Sequence, residues 1–216
     1  MFTLLCVTTT ASAQTLQAHL AYSQGTHTQF EPGLVRVGTP RKAYLISAPD
    51  GRVSYGAGIT GRFGYADLKP FFAQVELSGF YQKANFEVRD SLTNTVFSTY
   101  QKERYRIDVP IQLGVKFWWV RVQAGLAPSI AIPEAGVAND FGAWWSEAFN
   151  GGNIAYCYGV GLDVANLVSV DVRYQNDLGK RPETTLIPDF GTTGRHYYNN
   201  GLLVVKLGVR ISKEKE

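Results

Sequence analysis

The sequence predicts an all-β fold: an eight-stranded antiparallel transmembrane β-barrel, an up-and-down meander with short turns at one end and long loops at the other. Three observations predict it. First, residues 105–117 alternate without exception. Tyr105, Ile107, Val109, Ile111, Leu113, Val115 and Phe117 are apolar, while Arg106, Asp108, Pro110, Gln112, Gly114 and Lys116 are polar, charged, Gly or Pro. A period of two marks a strand with one apolar and one wet face. Such a run exceeds the ~5–6 residues of an ordinary globular strand and suffices for a tilted bilayer crossing, which takes ~9–11. Second, the pattern recurs along the chain. Third, aromatic residues gather at the ends of these segments.

Composition sets the bounds. The chain has 216 residues, with 18% charged and 13% aromatic. The charged share is below the ~25% of soluble domains. A formal net charge of +3 is too mild and too scattered for a nucleic-acid partner. No apolar run approaches the ~18 residues of a transmembrane helix. Residues 1–13 read as a signal peptide: Leu4, Leu5 and Val7 form an apolar remnant before an Ala11-Ser12-Ala13 cleavage site. Residues 14–216 then form one barrel domain. Cys6 leaves with the signal, so Cys157 remains alone; neither an internal disulfide nor a thiolate metal site is expected, and no cofactor is implied.

Taken in order, the first strand places Leu16, Ala18, Leu20 and Tyr22 on the apolar face, opposite Gln17, His19, Ala21 and Ser23. The second alternates Tyr55, Ala57, Ile59, Gly61, Phe63 and Tyr65 with Gly56, Gly58, Thr60, Arg62 and Gly64. The third sets Phe71, Ala73, Val75, Leu77, Gly79 and Tyr81 against Phe72, Gln74, Glu76, Ser78, Phe80 and Gln82. Residues 105–117 are the fourth. The fifth carries Val120, Val122, Ala124, Leu126 and Ile130, the sixth Tyr156, Tyr158, Val160, Leu162 and Val164. The seventh carries Val168, Val170, Val172 and Tyr174, and the last Leu203, Val205, Leu207, Val209 and Ile211.

The connections alternate in length. Tight turns fall at 66–69, 117–119 and 165–166, and long loops at 24–53, 85–97, 133–153 and 176–198. In outer-membrane barrels the short turns are periplasmic and the long loops external. An even strand count then leaves both termini in the periplasm. Tyr65, Phe71, Phe117, Trp118 and Trp119 lie at the short-turn ends; Tyr22, Tyr55, Tyr81, Tyr105, Tyr156, Tyr158 and Tyr174 lie at the long-loop ends. Two girdles result. Phe71 and Tyr81 are separated along the membrane normal by roughly 25 Å, the height of the apolar band.

Alternation alone does not say which face is outside, and a lipocalin-like barrel would turn the apolar face inward. The glycine-rich polar face, the aromatic strand ends and the sparse charge all favour lipid outside. The inward charges are then Arg62, Arg106, Lys116, Arg121, Arg173, Lys206 and Arg210 against Glu76, Asp108, Asp163 and Asp171. The interior of an eight-stranded barrel is just wide enough for side chains to fill, and buried charges must pair. An ion-pair network plugging the lumen is expected. A narrow, cation-disfavouring channel is the alternative, supported by the positive excess.

Three further features stand out. Pro110 cannot donate to a ladder, so a bulge or local break is expected there. Phe141, Trp144, Trp145, Ala148 and Phe149 follow helical spacing, predicting a short amphipathic helix in the loop 133–153. Phe141, Trp144, Trp145 and Phe149 would fold onto the barrel mouth or the lipid interface, or dock a protein partner. Residues 34–37 and 43–46 could pair as a hairpin that extends the wall. No catalytic set emerges: His19 is luminal, and His27 and His196 lie in loops without a recognisable Ser or Asp constellation.

At 106–114 (RIDVPIQLG), 123–127 (QAGLA), 159–164 (GVGLDV) and 170–174 (VDVRY) the chain resembles the outer-membrane β-barrel family of Bacteroidota, often labelled porin-family or PorT-like. The resemblance covers roughly residues 55–211. It implies an eight-stranded barrel in the outer membrane, in contact with lipopolysaccharide or phospholipid. It also implies a possible link to secretion machinery through a protein partner, and no single activity. A structural or interaction role in the cell envelope is therefore expected first. A narrow porin-like pore comes second, and an enzyme acting on lipid third.

Overall fold

The computed structural model describes residues 15–31, 33–37, 42–47, 52–64, 70–132, 152–164, 167–179, 181–187 and 192–211. The predicted signal residues 1–13 lie outside these, as do Tyr65 and the predicted loop helix with Phe141, Trp144, Trp145 and Phe149. Every described element is a β-strand or a turn. The strands are β1 (Thr15–Glu31), β2 (Gly33–Val37), β3 (Lys42–Ser47), β4 (Val53–Gly64), β5 (Phe71–Asp90) and β6 (Val96–Asp108). They continue as β7 (Ile111–Phe117), β8 (Val120–Ile132), β9 (Asn153–Val164), β10 (Val168–Asp177), β11 (Arg181–Ile187) and β12 (Thr192–Arg210).

All pairings are antiparallel and the ring closes. β1 pairs with β4, β4 with β5, β5 with β6 and β7, and both of these with β8. β8 pairs with β9, β9 with β10, β10 with β12, and β12 returns to β1. Because β6 and β7 form one stave, the barrel has the eight staves that the sequence predicts. Closure removes the open edge that a flat sheet would expose. The β7–β8 hairpin turns through Trp118–Trp119, with Trp118 at φ 55°, a left-handed conformation that a bulky side chain seldom adopts.

The faces sort as the alternation demands, with the polar residues inside. Arg106, Asp108 and Arg173 are 0–2% exposed, whereas Ile111 and Leu113 are 54% and 70% exposed. Leu20, Ile59, Leu77, Val122, Val160 and Leu207 also face outward. Phe71, Phe117, Trp118 and Trp119 are exposed at the short-turn end, and Tyr22, Tyr55, Tyr105 and Tyr156 on the outer face nearer the long-loop end.

Among the described residues, the connections expected at 24–53, 85–97 and 176–198 prove to be largely strand. β5 and β6 run on as a hairpin around residues 91–95, where a loop 85–97 was expected. The cause lies in the pattern itself. Up to Tyr81 the outward face of β5 is apolar, with Phe72 and Phe80 the apolar residues on its inner face; beyond it Phe86 and Val88 face in and are buried, while Lys83, Asn85, Glu87 and Arg89 face out. Alternation persists but the faces exchange, as they must where lipid gives way to water outside. Likewise β1 extends to Glu31 and β12 begins at Thr192, paired with β11, in place of long loops. The hairpin expected near 34–46 is present as β2 and β3, with Leu34 opposite Leu45. It adds to the upper end of β5, where Tyr44 faces Asp90, and leaves the stave count at eight.

At Pro110 the expected local break is present, between β6 and β7, and the bulge given as its alternative is not. Val75 faces Ile111 and Ser78 faces Asp108, so three residues separate the pairs on both strands. The β8 side keeps its register as well, with Ile111 opposite Leu126 and Asp108 opposite Ser129. The Glu76 amide donates to the Pro110 carbonyl at 3.0 Å, and the Val109 amide to the Pro128 carbonyl at 2.8 Å. In each pair the reciprocal donor would be a proline nitrogen, which carries no hydrogen. This stave therefore lacks one rung on each side at adjacent levels. Because the register is intact, Pro110→Ala is expected to gain a protected amide bonded to the Glu76 carbonyl. Hydrogen exchange followed by mass spectrometry should locate that protection at residue 110, worth about 1 kcal/mol.

Candidate functional site

The alternation places charged side chains on the inward faces; the register decides which of them meet. At the short-turn end the hub is Asp163, carried by β9. Arg121 of β8 approaches it at 3.0 Å, Lys116 of β7 at 3.2 Å and Arg62 of β4 at 3.6 Å. Arg121 also spans to Asp171 of β10 at 3.3 Å, and the Gln123 amide donates to the same carboxylate at 3.4 Å. The guanidinium can cross the lumen only because Gly161 offers no side chain: a Cβ there would stand 2.8 Å from Arg121 Cζ. One level up, Arg62 donates to Gln74, Gln74 to Gln112, and Gln112 to the buried Cys157 sulfur at 3.4 Å.

At mid-height the hub is Glu76 on β5, fully buried. Its Oε2 receives Lys206 Nζ at 2.5 Å and Arg173 Nη1 at 3.0 Å. Ser78 donates to Oε1 at 2.7 Å, and His19 Nε2 lies 3.6 Å away from the same oxygen. His19 is fixed from both sides, by Ser78 Oγ at 2.9 Å and Thr60 Oγ1 at 3.2 Å. The carboxylate's partners come from β1, β10 and β12, and Thr60 adds β4 through His19, so one carboxylate ties distant staves together. Above this layer Ala21, Phe80, Leu202 and Val204 form an apolar cluster across the interior. Arg106 pairs with Asp108 at 2.8 Å, and its guanidinium lies 5.0 Å from the centre of the Phe80 ring.

All the inward charges predicted from sequence except Arg210 thus join one of two hubs or the Arg106–Asp108 pair. Arg210 is half-buried at the short-turn rim, where its amide donates to the Leu167 carbonyl. What the sequence reading left out are neutral members: Ser78, Thr60, Gln74, Gln112 and Gln123. The same alternation that placed the charges could have found them. Arg52, buried and 5.9 Å from the Phe86 ring, was assigned to a loop. Ser78, His19 and Glu76 carry residue types used in hydrolysis. Here the His19 nitrogen remote from Ser78 meets Thr60 instead of a carboxylate, and all three side chains are buried. Among the described residues no group of three metal-ligating side chains assembles.

An apolar exterior around a charged, paired interior reverses the plan of a water-soluble barrel. A belt of this size exposed to water would be far above the few hundred Å² that a soluble monomer tolerates in one patch. Apart from the two rungs lost at Pro110 and Pro128, the closed barrel pairs its backbone groups internally, as hydrocarbon requires. The class is that of a membrane-spanning β-barrel.

No protein-family model and no curated protein sequence matches the chain. Solved structures of similar fold include the outer membrane protein OprG from Pseudomonas aeruginosa, at TM-score 0.49 and 7% identity over 93% of this chain and 99% of that one. The outer membrane protein AlkL, determined in DMPC bilayers, gives TM-score 0.48 and 10% identity over 100% and 99%. A Pseudomonas aeruginosa FadL homologue gives TM-score 0.34 and 6% identity over 90% of each chain. At these scores the assignment of the fold stays with the register and the burial pattern.

Two outcomes follow from the inside-out plan. Leu113→Arg, at an outward mid-strand position, should destabilise the barrel in phospholipid vesicles by about 2–4 kcal/mol, read from the urea midpoint. Glu76→Ala leaves Arg173 and Lys206 buried without their carboxylate and should cost about 3–5 kcal/mol. Adding Lys206→Met to Glu76→Ala should restore part of that loss in the same titration.

Proposed function

We propose that this protein is a small outer-membrane β-barrel with a plugged polar lumen, acting as a structural or interaction component of the cell envelope. The observation that carries this reading is the Glu76 hub. Its partners reach across the interior from three other staves, β1, β10 and β12, with an apolar layer directly above. A solute crossing the lumen would have to pull a carboxylate away from Lys206 and Arg173 in a space with little room for water. Breaking such a buried pair costs several kcal/mol.

The membrane address rests on the same belt of outward Leu, Ile, Val and aromatic residues. The short turns belong on the periplasmic side, together with both termini, and the β2–β3 and β5–β6 hairpins stand outside the cell. That strand-built extension is the surface available to a protein partner. It would suit an accessory place in a larger secretion or uptake complex, in keeping with the resemblance to PorT-like proteins of Bacteroidota.

A pore is the second reading. Seven inward cations, Arg62, Arg106, Lys116, Arg121, Arg173, Lys206 and Arg210, stand against the four carboxylates Glu76, Asp108, Asp163 and Asp171, so the interior leans positive. A thinned network would then pass anions in preference to cations.

Planar-bilayer recording separates the two. The wild-type barrel should insert without a steady open level. A stable conductance whose reversal potential in a potassium chloride gradient favours chloride would establish the pore instead.

A further inference from the structure

At the long-loop end the outward face carries a row of tyrosines on neighbouring staves. Tyr22 pairs with Tyr55, Tyr55 with Tyr81, and Tyr81 with Tyr105. The row below, toward the short-turn end, is small at two of its positions: Ala57 pairs with Gly79, and Gly79 with Ile107. The contrast leaves a recess of roughly 430 Å³ on the outside of the barrel, beneath Tyr55, Tyr81 and Tyr105. Its floor is Gly79, where an added Cβ would meet nothing within 4 Å.

The recess opens to one side only. Behind it the Phe80 ring and the Arg106 guanidinium, each 2% exposed, seal the wall from the lumen. Whatever fills it comes from the membrane. The rim adds a polar signature. Just past Tyr81 and Tyr105 on the same outward face, Lys83 and Glu103 form a 3.2 Å pair, each about half exposed. Lys83 Nζ also lies 5.4 Å from the centre of the Tyr81 ring.

On the reading of this chain as a membrane barrel, we propose that the recess is a binding site for one zwitterionic phospholipid. An acyl chain lies over Gly79 and Ala57, beneath the tyrosine row. The head group sits at the Lys83–Glu103 pair, its phosphate toward the ammonium and its quaternary amine toward the carboxylate and the tyrosine faces. A cation of that kind is attracted to aromatic faces. A second copy of the barrel fits less well, because the flanking tyrosines and Ile107 stand proud of the small floor and hold a neighbouring wall away.

The test uses the whole chain, refolded into phosphatidylcholine vesicles, extracted in mild detergent and weighed intact. Gly79→Leu puts an apolar side chain into the recess from a Cβ position that meets no heavy atom within 4 Å. Ala18→Leu places a leucine elsewhere on the outward face. Wild type and Ala18→Leu should retain one phosphatidylcholine per barrel. Gly79→Leu should retain about tenfold less, the worth of some two buried methylenes. Equal retention by Gly79→Leu, or equal retention of phosphatidylglycerol by the wild type, would overturn the site. So would a dimer in place of the lipid adduct. Failure of the wild type to enter vesicles at all, seen by flotation, would overturn the membrane reading and the site with it. Entry without lipid retention removes the site alone.

Discussion

The ion pairing around Glu76 is the constraint on which the remaining architecture depends. A barrel that offers hydrocarbon to its surroundings must place its polar residues inside, and there they lose water. Carboxylates and guanidinium groups tolerate this only when they find one another with good geometry. Glu76 receives Lys206 and Arg173 directly and meets His19 through Ser78. The smaller features follow from that need. Gly161 yields its side chain so that Arg121 can reach two carboxylates. Gly208 does the same for Ser169, which donates to Gln17. The glycines that look wasteful in a strand are the positions across which long side chains are laid.

The exterior is the complement of that interior. With charge confined to the lumen, the outer surface can be apolar from Phe71 to Tyr81, and strand length, tilt and the two aromatic groups follow from the thickness of a bilayer. The extension above it obeys the ordinary rule for water-soluble sheets. Tyr44, Phe86 and Val88 are buried there, and Glu87 pairs with Arg89 on the outside at 2.6 Å. One chain thus carries two opposite burial schemes joined along continuous strands.

How far the sequence could be read depended on which of these schemes applied. The eight staves and the inward charges were legible because period-two alternation is preserved within each crossing. Of the extensions, the β2–β3 hairpin was legible and the continuations of β1, β5, β6 and β12 were not. At Tyr81 the apolar set moves to the other face, and a reader following the outward residues sees the pattern stop where the strand continues. Pro110 was legible as a missing donor, yet its consequence depended on β5 and β8 holding their register around it. The hubs needed register too: Glu76 and Lys206 lie 130 residues apart, and nothing local joins them. Pairing in a closed barrel is set around the whole ring, beyond any single segment.

The exchange of faces at Tyr81 also governs how deep the molecule sits. Lowering the barrel by two residues along β5, about 7 Å of strand, would carry the Lys83–Glu103 pair into hydrocarbon. Raising it would strip lipid from the tyrosine row. Either displacement is opposed, so the strand acts as its own depth gauge. A bilayer of different thickness must adapt to this protein by stretching or thinning around it, since the barrel has little freedom to slide.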